Sequence, residues 1–158
     1  MRPLRLAAVL PLLLAAFAPG PLLAQQPAGP RDLPNPQATP GDVTGATREQ
    51  LCVPGYQPNP PPPSVRTQVL VLQAYGMDGA QPGSYMLNYL IPPTLGGSSA
   101  ITNLWPMATD AEPYNPRVKY RLEQKLLEMV CSGRITLAAA QQAIARNWVD
   151  AYWNYVGE

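Results

Sequence analysis

The chain contains no histidine, which removes most of the catalytic constellations a sequence can carry. Without an imidazole there is no Ser-His-Asp or Cys-His nucleophile system. The two cysteines, Cys52 and Cys131, are too few ligands for an ordinary zinc site, which takes four protein groups, or three and a water. No glycine loop of the phosphate-cradling kind is present. Three kinds of group remain. Asp110 and Glu112 are acids in a short polar stretch that could hold a lone metal with its water. Arg117, Lys119, Arg121, Lys125 and Arg134 gather where only Glu123 and Glu128 oppose them, a pattern suited to phosphates. The plainer reading of that pattern is a solvated helix face with paired charges. Trp105, Trp148 and Trp153 could stack on bases, but they fit a core or its rim better.

These groups must be positioned by a small fold. With 158 residues the chain is long enough for one domain and too short for two. Residues 1–24 read as a secretory signal: Arg2 and Arg5, an apolar run from Leu6 to Ala18, then small residues to Ala24, with cleavage expected near Ala24-Gln25. The run is shorter than the roughly 20 residues of a spanning helix, so no stable membrane insertion is expected after cleavage. The expected destination is the periplasm or the exterior. In an oxidising compartment, two cysteines far apart in sequence are most simply a disulfide, Cys52 to Cys131. Removing Arg2 and Arg5 takes the 11 basic groups to 9, against 10 acidic ones, so bulk charge does not favour nucleic acid.

Residues 25–45 are rich in Pro, Gly, Ala, Thr and Asp with almost no large apolar side chain, and predict a flexible leader ahead of a domain spanning 46–156. Pro58 to Pro63, broken by Asn59, predicts a stiff extended spacer. Ser64 can cap a helix over 65–75, where Val65, Val69, Leu72 and Tyr75 recur at helical spacing. A strand is expected from Ser84 to Ile91, ended by Pro92-Pro93, and a second from Ile101 to Trp105 after the Gly96-Gly97 turn. Asn115-Pro116 predicts a helix start, with Val118, Leu122, Leu126 and Met129 as its apolar stripe and Gly133 as its end. A last helix is expected from Thr136, keeping Leu137, Ala140, Ile144, Trp148 and Tyr152 on one face.

Tyr85-Met86-Leu87-Asn88-Tyr89-Leu90-Ile91-Pro92-Pro93-Thr94-Leu95-Gly96-Gly97, followed by Asn103-Leu104-Trp105-Pro106, resembles the core of a group of exported HNH-endonuclease-like proteins. That group carries Asp-His-Leu-Ile-Pro-Leu, a Gly-Gly turn and Asn-Leu-Trp-Pro. Leu51 to Tyr56, Ala74-Tyr75-Gly76, Val130 to Gly133 and Ile135-Thr136-Leu137 extend the resemblance over roughly residues 42 to 155. It implies an α+β fold: a small hairpin plus a helix, the ββα-metal core, with additional packed helices.

Such a core hydrolyses phosphodiesters with a histidine base beside an aspartate that binds a divalent metal. Residue by residue, the resemblance puts Asn88 at the metal-binding aspartate and Tyr89 at the histidine. Asn88 lacks the anionic charge that makes a hard-cation site worth occupying. A tyrosine of ordinary pKa, about 10, is a poor base at neutral pH. Asn103 matches the asparagine that holds the loop and orients the histidine; with the histidine gone, it is expected to brace the hairpin loop. The resulting expectation is a catalytically inactive binding or structural module, with no cofactor, whose partner is nucleic acid, through Arg117, Lys119, Arg121 and Lys125, or an envelope protein. The rival expectation is an active nuclease using Mg or Mn at a relocated site on Asp110 or Glu112.

Overall fold

Proline, glycine and a set of side-chain caps divide the chain into short elements. The computed structural model describes residues 33–79 and 83–157; the expected secretory signal, its cleavage site and residues 25–32 of the expected leader lie outside them. Thr47 opens the first helix, α1 (Arg48–Leu51), with a reciprocal capping box: its hydroxyl accepts from the Gln50 amide while the Gln50 side chain accepts from the Thr47 amide. Ser64 caps α2 (Val65–Ala74) as the proline run ends, by accepting from the Thr67 amide. The extended residues then form an antiparallel pair, β1 (Tyr85–Tyr89) and β2 (Leu104–Ala108), in the register Asn88 to Trp105 and Tyr89 to Leu104. The second strand starts three residues later than Ile101, because residues 101–103 tighten into a 3₁₀ turn.

Asn115 accepts from the amides of Arg117 and Val118 and starts α3 (Pro116–Cys131), and Gly133 turns away from it at φ 75°. The buried positions of α3 are Lys119, Leu122, Leu126 and Val130, with Val118 and Met129 half-buried, so the inward stripe keeps Leu122 and Leu126 but takes Lys119 and Val130 at its ends. The expected last helix is two: α4 (Leu137–Arg146) and α5 (Trp148–Tyr155). Asn147 breaks them with extended backbone and caps α5 by accepting from the Val149 and Asp150 amides. Ala140, Ile144, Trp148 and Tyr152 all remain buried across the break, so the expected single face survives a change of helix.

The fold is therefore α+β, five helices and one two-stranded hairpin among the described residues. Every residue of β2 is buried, and Leu95, Trp105, Met107, Leu122, Leu126 and Trp148 are among the side chains that fill the core. Full burial of a side chain of that size is worth about 1.5–3 kcal/mol. The disulfide Cys52–Cys131 is present and joins positions 79 apart in the sequence. No helix among the described residues is long and apolar enough to cross a membrane.

Residues 33–45 depart from the expectation of a flexible leader. Thr39 is buried, its hydroxyl donating to the Leu104 carbonyl at 2.9 Å and sharing a hydrogen bond with the Tyr75 hydroxyl at 2.8 Å. The Gly41 amide donates to the Thr102 carbonyl, and Val43 forms an isolated bridge with Gly97. Composition misleads here because the segment is held by hydrogen bonds and small side chains rather than by large apolar ones. The packed unit thus begins well ahead of residue 46.

Candidate functional site

Strand β1 delivers Asn88 and Tyr89 to its C-terminal end, both half-buried, and the chain then leaves through a long loop over residues 90–103. Asn103 closes that loop. Its side-chain oxygen accepts from the Ile91 amide at 2.9 Å and, at 3.5 Å, from that of Asp42; its side-chain nitrogen donates to the carbonyls of Ile91 at 2.9 Å and Ser98 at 2.8 Å. Asn103 has no exposure, and its hydrogen-bonding capacity is spent on main chain. Asp42 ties the N-terminal segment to the same loop: its carboxylate accepts from the Ser98 hydroxyl and its carbonyl from the Ser98 amide. The Tyr89 hydroxyl lies 3.5 Å from that of Ser99, at the outer limit of a hydrogen bond.

Lys119 enters from α3. It is wholly buried, and its ammonium donates to the Tyr89 carbonyl at 2.7 Å and to the Glu123 carboxylate one turn along the helix. Burial pushes its pKa below the ordinary 10.5, an effect the neighbouring Glu123 partly offsets. The expectation that Lys119 belongs to a phosphate-binding surface is therefore corrected. It lies in the 119-122-126-130 register of the apolar stripe, and one cation on an apolar stripe is the sequence signal that could have revealed it.

The remaining basic residues do not form one open face. Lys125 and Arg134 both pair with Glu128, holding its carboxyl below the usual carboxylate range, Lys125 most strongly. The Arg121 guanidinium stands 5.3 Å above the centre of the Tyr152 ring. Arg117 is exposed on the first turn of α3. Asp110 and Glu112 are exposed in the connection from β2 to α3, and Glu112 accepts from the side-chain amide of Asn115. No three His, Cys, Asp or Glu side chains among the described residues are grouped so as to hold a metal. Trp105 and Trp148 are buried, and Trp153 is half-exposed, its indole N–H donating to the Tyr114 hydroxyl.

No known protein family, characterised protein or solved structure matches the chain. The Lys119, Glu123 and Tyr89 cluster and the Asp42 tie were not singled out by sequence. Both join elements far apart in the chain, which local patterning does not reveal.

Lys119→Met is expected to cost about 2 kcal/mol at neutral pH, because it leaves the Tyr89 carbonyl and a mostly covered Glu123 without their donor. The pH dependence has a definite sign. In the window between the lowered pKa of folded Lys119 and its ordinary 10.5, the unfolded chain binds the proton that the folded chain has released. This contribution therefore raises stability as pH rises through that window. Urea titrations should show the wild type's advantage over Lys119→Met growing there. A constant or shrinking advantage would refute the assignment.

Proposed function

We propose that the chain is an exported, HNH-endonuclease-like module whose catalytic groups have been lost and which acts by binding or as a structural element. The observation that carries this reading is the pair Asn88-Tyr89 at the end of β1 in a chain without histidine, where the cation bound to the Tyr89 main chain is the Lys119 ammonium. An asparagine and a tyrosine supply neither the anionic metal ligand nor the base that hydrolysis needs at neutral pH. The order hairpin, braced loop, helix supports the resemblance without deciding it, and the disulfide and the signal-like N-terminus support export. Internal pairing of Lys125, Arg134 and Lys119 favours a protein partner in the envelope over nucleic acid.

Purified protein incubated with supercoiled plasmid and magnesium or manganese is expected to leave it intact. Reproducible nicking that disappears in Asp110→Ala or Glu112→Ala would overturn the proposal in favour of a relocated metal site.

A further inference from the structure

The two edges of the hairpin are unlike. The Ser84 carbonyl accepts from the Thr109 amide and the Leu90 amide donates to the Asn103 carbonyl, which fixes the bonded positions of the ladder at residues 84, 86, 88 and 90. Tyr85, Leu87 and Tyr89 therefore turn their amides and carbonyls away from β2. The same alternation turns Leu104, Pro106 and Ala108 outward on the other edge. That edge is closed: every residue of β2 is buried, the Leu104 carbonyl accepts from Thr39, and Pro106 has no N–H to offer. On β1 the Tyr89 carbonyl accepts from Lys119. The outward amides and carbonyls of Tyr85 and Leu87 meet no partner among the described residues.

An open groove of about 350 Å³ is lined by Tyr85, Met86 and Leu87 together with Pro63 and Gln68. Successive strand side chains point to opposite faces, so a groove that touches three in a row follows the edge of the strand. Nothing in the strand guards that edge, since β1 holds neither a charge nor a proline. Apolar side chains lie open around it. Met86 is 43% exposed, and Val65 and Val69, one turn apart on α2, are 77% and 46% exposed, with Val65 at i,i+3 spacing from Gln68.

From these observations we propose that β1 pairs antiparallel with β1 of a second copy of the chain, making a four-stranded sheet about a two-fold axis. The occupant follows from the symmetry of the strand itself. Centred on Leu87, the sequence Tyr-Met-Leu-Asn-Tyr sets Leu87 against Leu87 and Tyr85 against Tyr89 of the second copy, so each outward amide meets an outward carbonyl. The Tyr89 carbonyl has a second lone pair for this bond. With no charge on the strand, two copies meet there without repulsion, and cross-strand tyrosine pairs favour the contact. A stable interface takes about 800 Å² from each partner, more than a five-residue strand supplies, so the exposed Met86, Val65 and Val69 must join it. A dimer of modest strength is expected, with a Kd of about 10–100 μM. The inference stands apart from the HNH-like reading, because the edge is the same whether or not the site is catalytic.

Sedimentation equilibrium of the disulfide-bonded protein from about 1 μM to about 1 mM tests it, with amide hydrogen exchange read residue by residue at both ends of that range. A monomer–dimer equilibrium is expected. The Tyr85 and Leu87 amides should exchange freely in the monomer and be protected in the dimer, while those of Met86 and Asn88, bonded to β2, are protected throughout. Met86→Lys should weaken the dimer about tenfold. Because Met86 is exposed, that variant keeps the fold, which circular dichroism checks. The proposal is overturned if the protein stays monomeric at about 1 mM, if a dimer forms while the Tyr85 and Leu87 amides still exchange freely, or if Met86→Lys dimerises as tightly as the wild type.

Discussion

Gly97→Ala is expected to destabilise the protein by about 4 kcal/mol or more, placing it among the most damaging single-methyl additions a small domain can suffer. The reason is steric. A Cβ at Gly97 would stand 1.8 Å from the Ile91 carbonyl oxygen, 2.6 Å from its carbon and 3.0 Å from the Asn103 side-chain nitrogen. The obstruction is main chain, so no side-chain rotation relieves it. Moving the Ile91 carbonyl aside would pull it from the Asn103 donor that closes the loop and disturb the bridge from Val43. Gly79→Ala is the control: a Cβ there meets nothing within 4 Å among the described residues, and its cost should stay within about 0.5 kcal/mol. Urea denaturation of both variants decides the matter, and equal midpoints would show that the loop is not held as described.

Reduction of Cys52–Cys131 should cost about 4 kcal/mol and lower Tm by roughly 10 °C or more, since the bond removes a loop of 79 residues' separation from the freedom of the unfolded chain. It also ties α1 to the end of α3. There the Arg48 guanidinium donates to the carbonyls of Val130, at 2.8 Å, and Cys131, at 2.6 Å, at the end of the helix. That contact is local and remains when the sulfurs part. Melting curves with and without reductant, with the Cys52→Ser, Cys131→Ser double variant as control, measure the effect. A Tm that reductant does not move, in protein shown by mass to be reduced, would contradict it.

Much of the architecture is legible because its signals are local. Ser64, Asn115 and Thr136 each cap the helix they were expected to start, and Gly133 ends α3. The α2 helix and the first strand fall within a few residues of their expected bounds. The break at Asn147 was missed because the apolar spacing runs through it, although an asparagine three residues before an acid is itself a helix-start pattern. The site was legible only in outline. Asn88 and Tyr89 stand where the hairpin ends, and Asn103 braces the loop, but the inward turn of Lys119 depends on contact with Tyr89, 30 residues away. The docking of residues 33–45 was hidden for the same reason: Thr39 finds its partners at Tyr75 and Leu104, and no pattern within the segment announces them.

The hold on Thr39 also orders events in time. Its two partners lie 36 and 65 residues further along the chain, and those of Arg48 lie 82 and 83 further. A chain emerging from its N-terminus presents this segment first and the surfaces that receive it last. The bond from Thr39 to Leu104 therefore cannot close until β2 exists. Pairings across such separations close slowly, so the segment that opens the packed unit is among the last parts of it to settle.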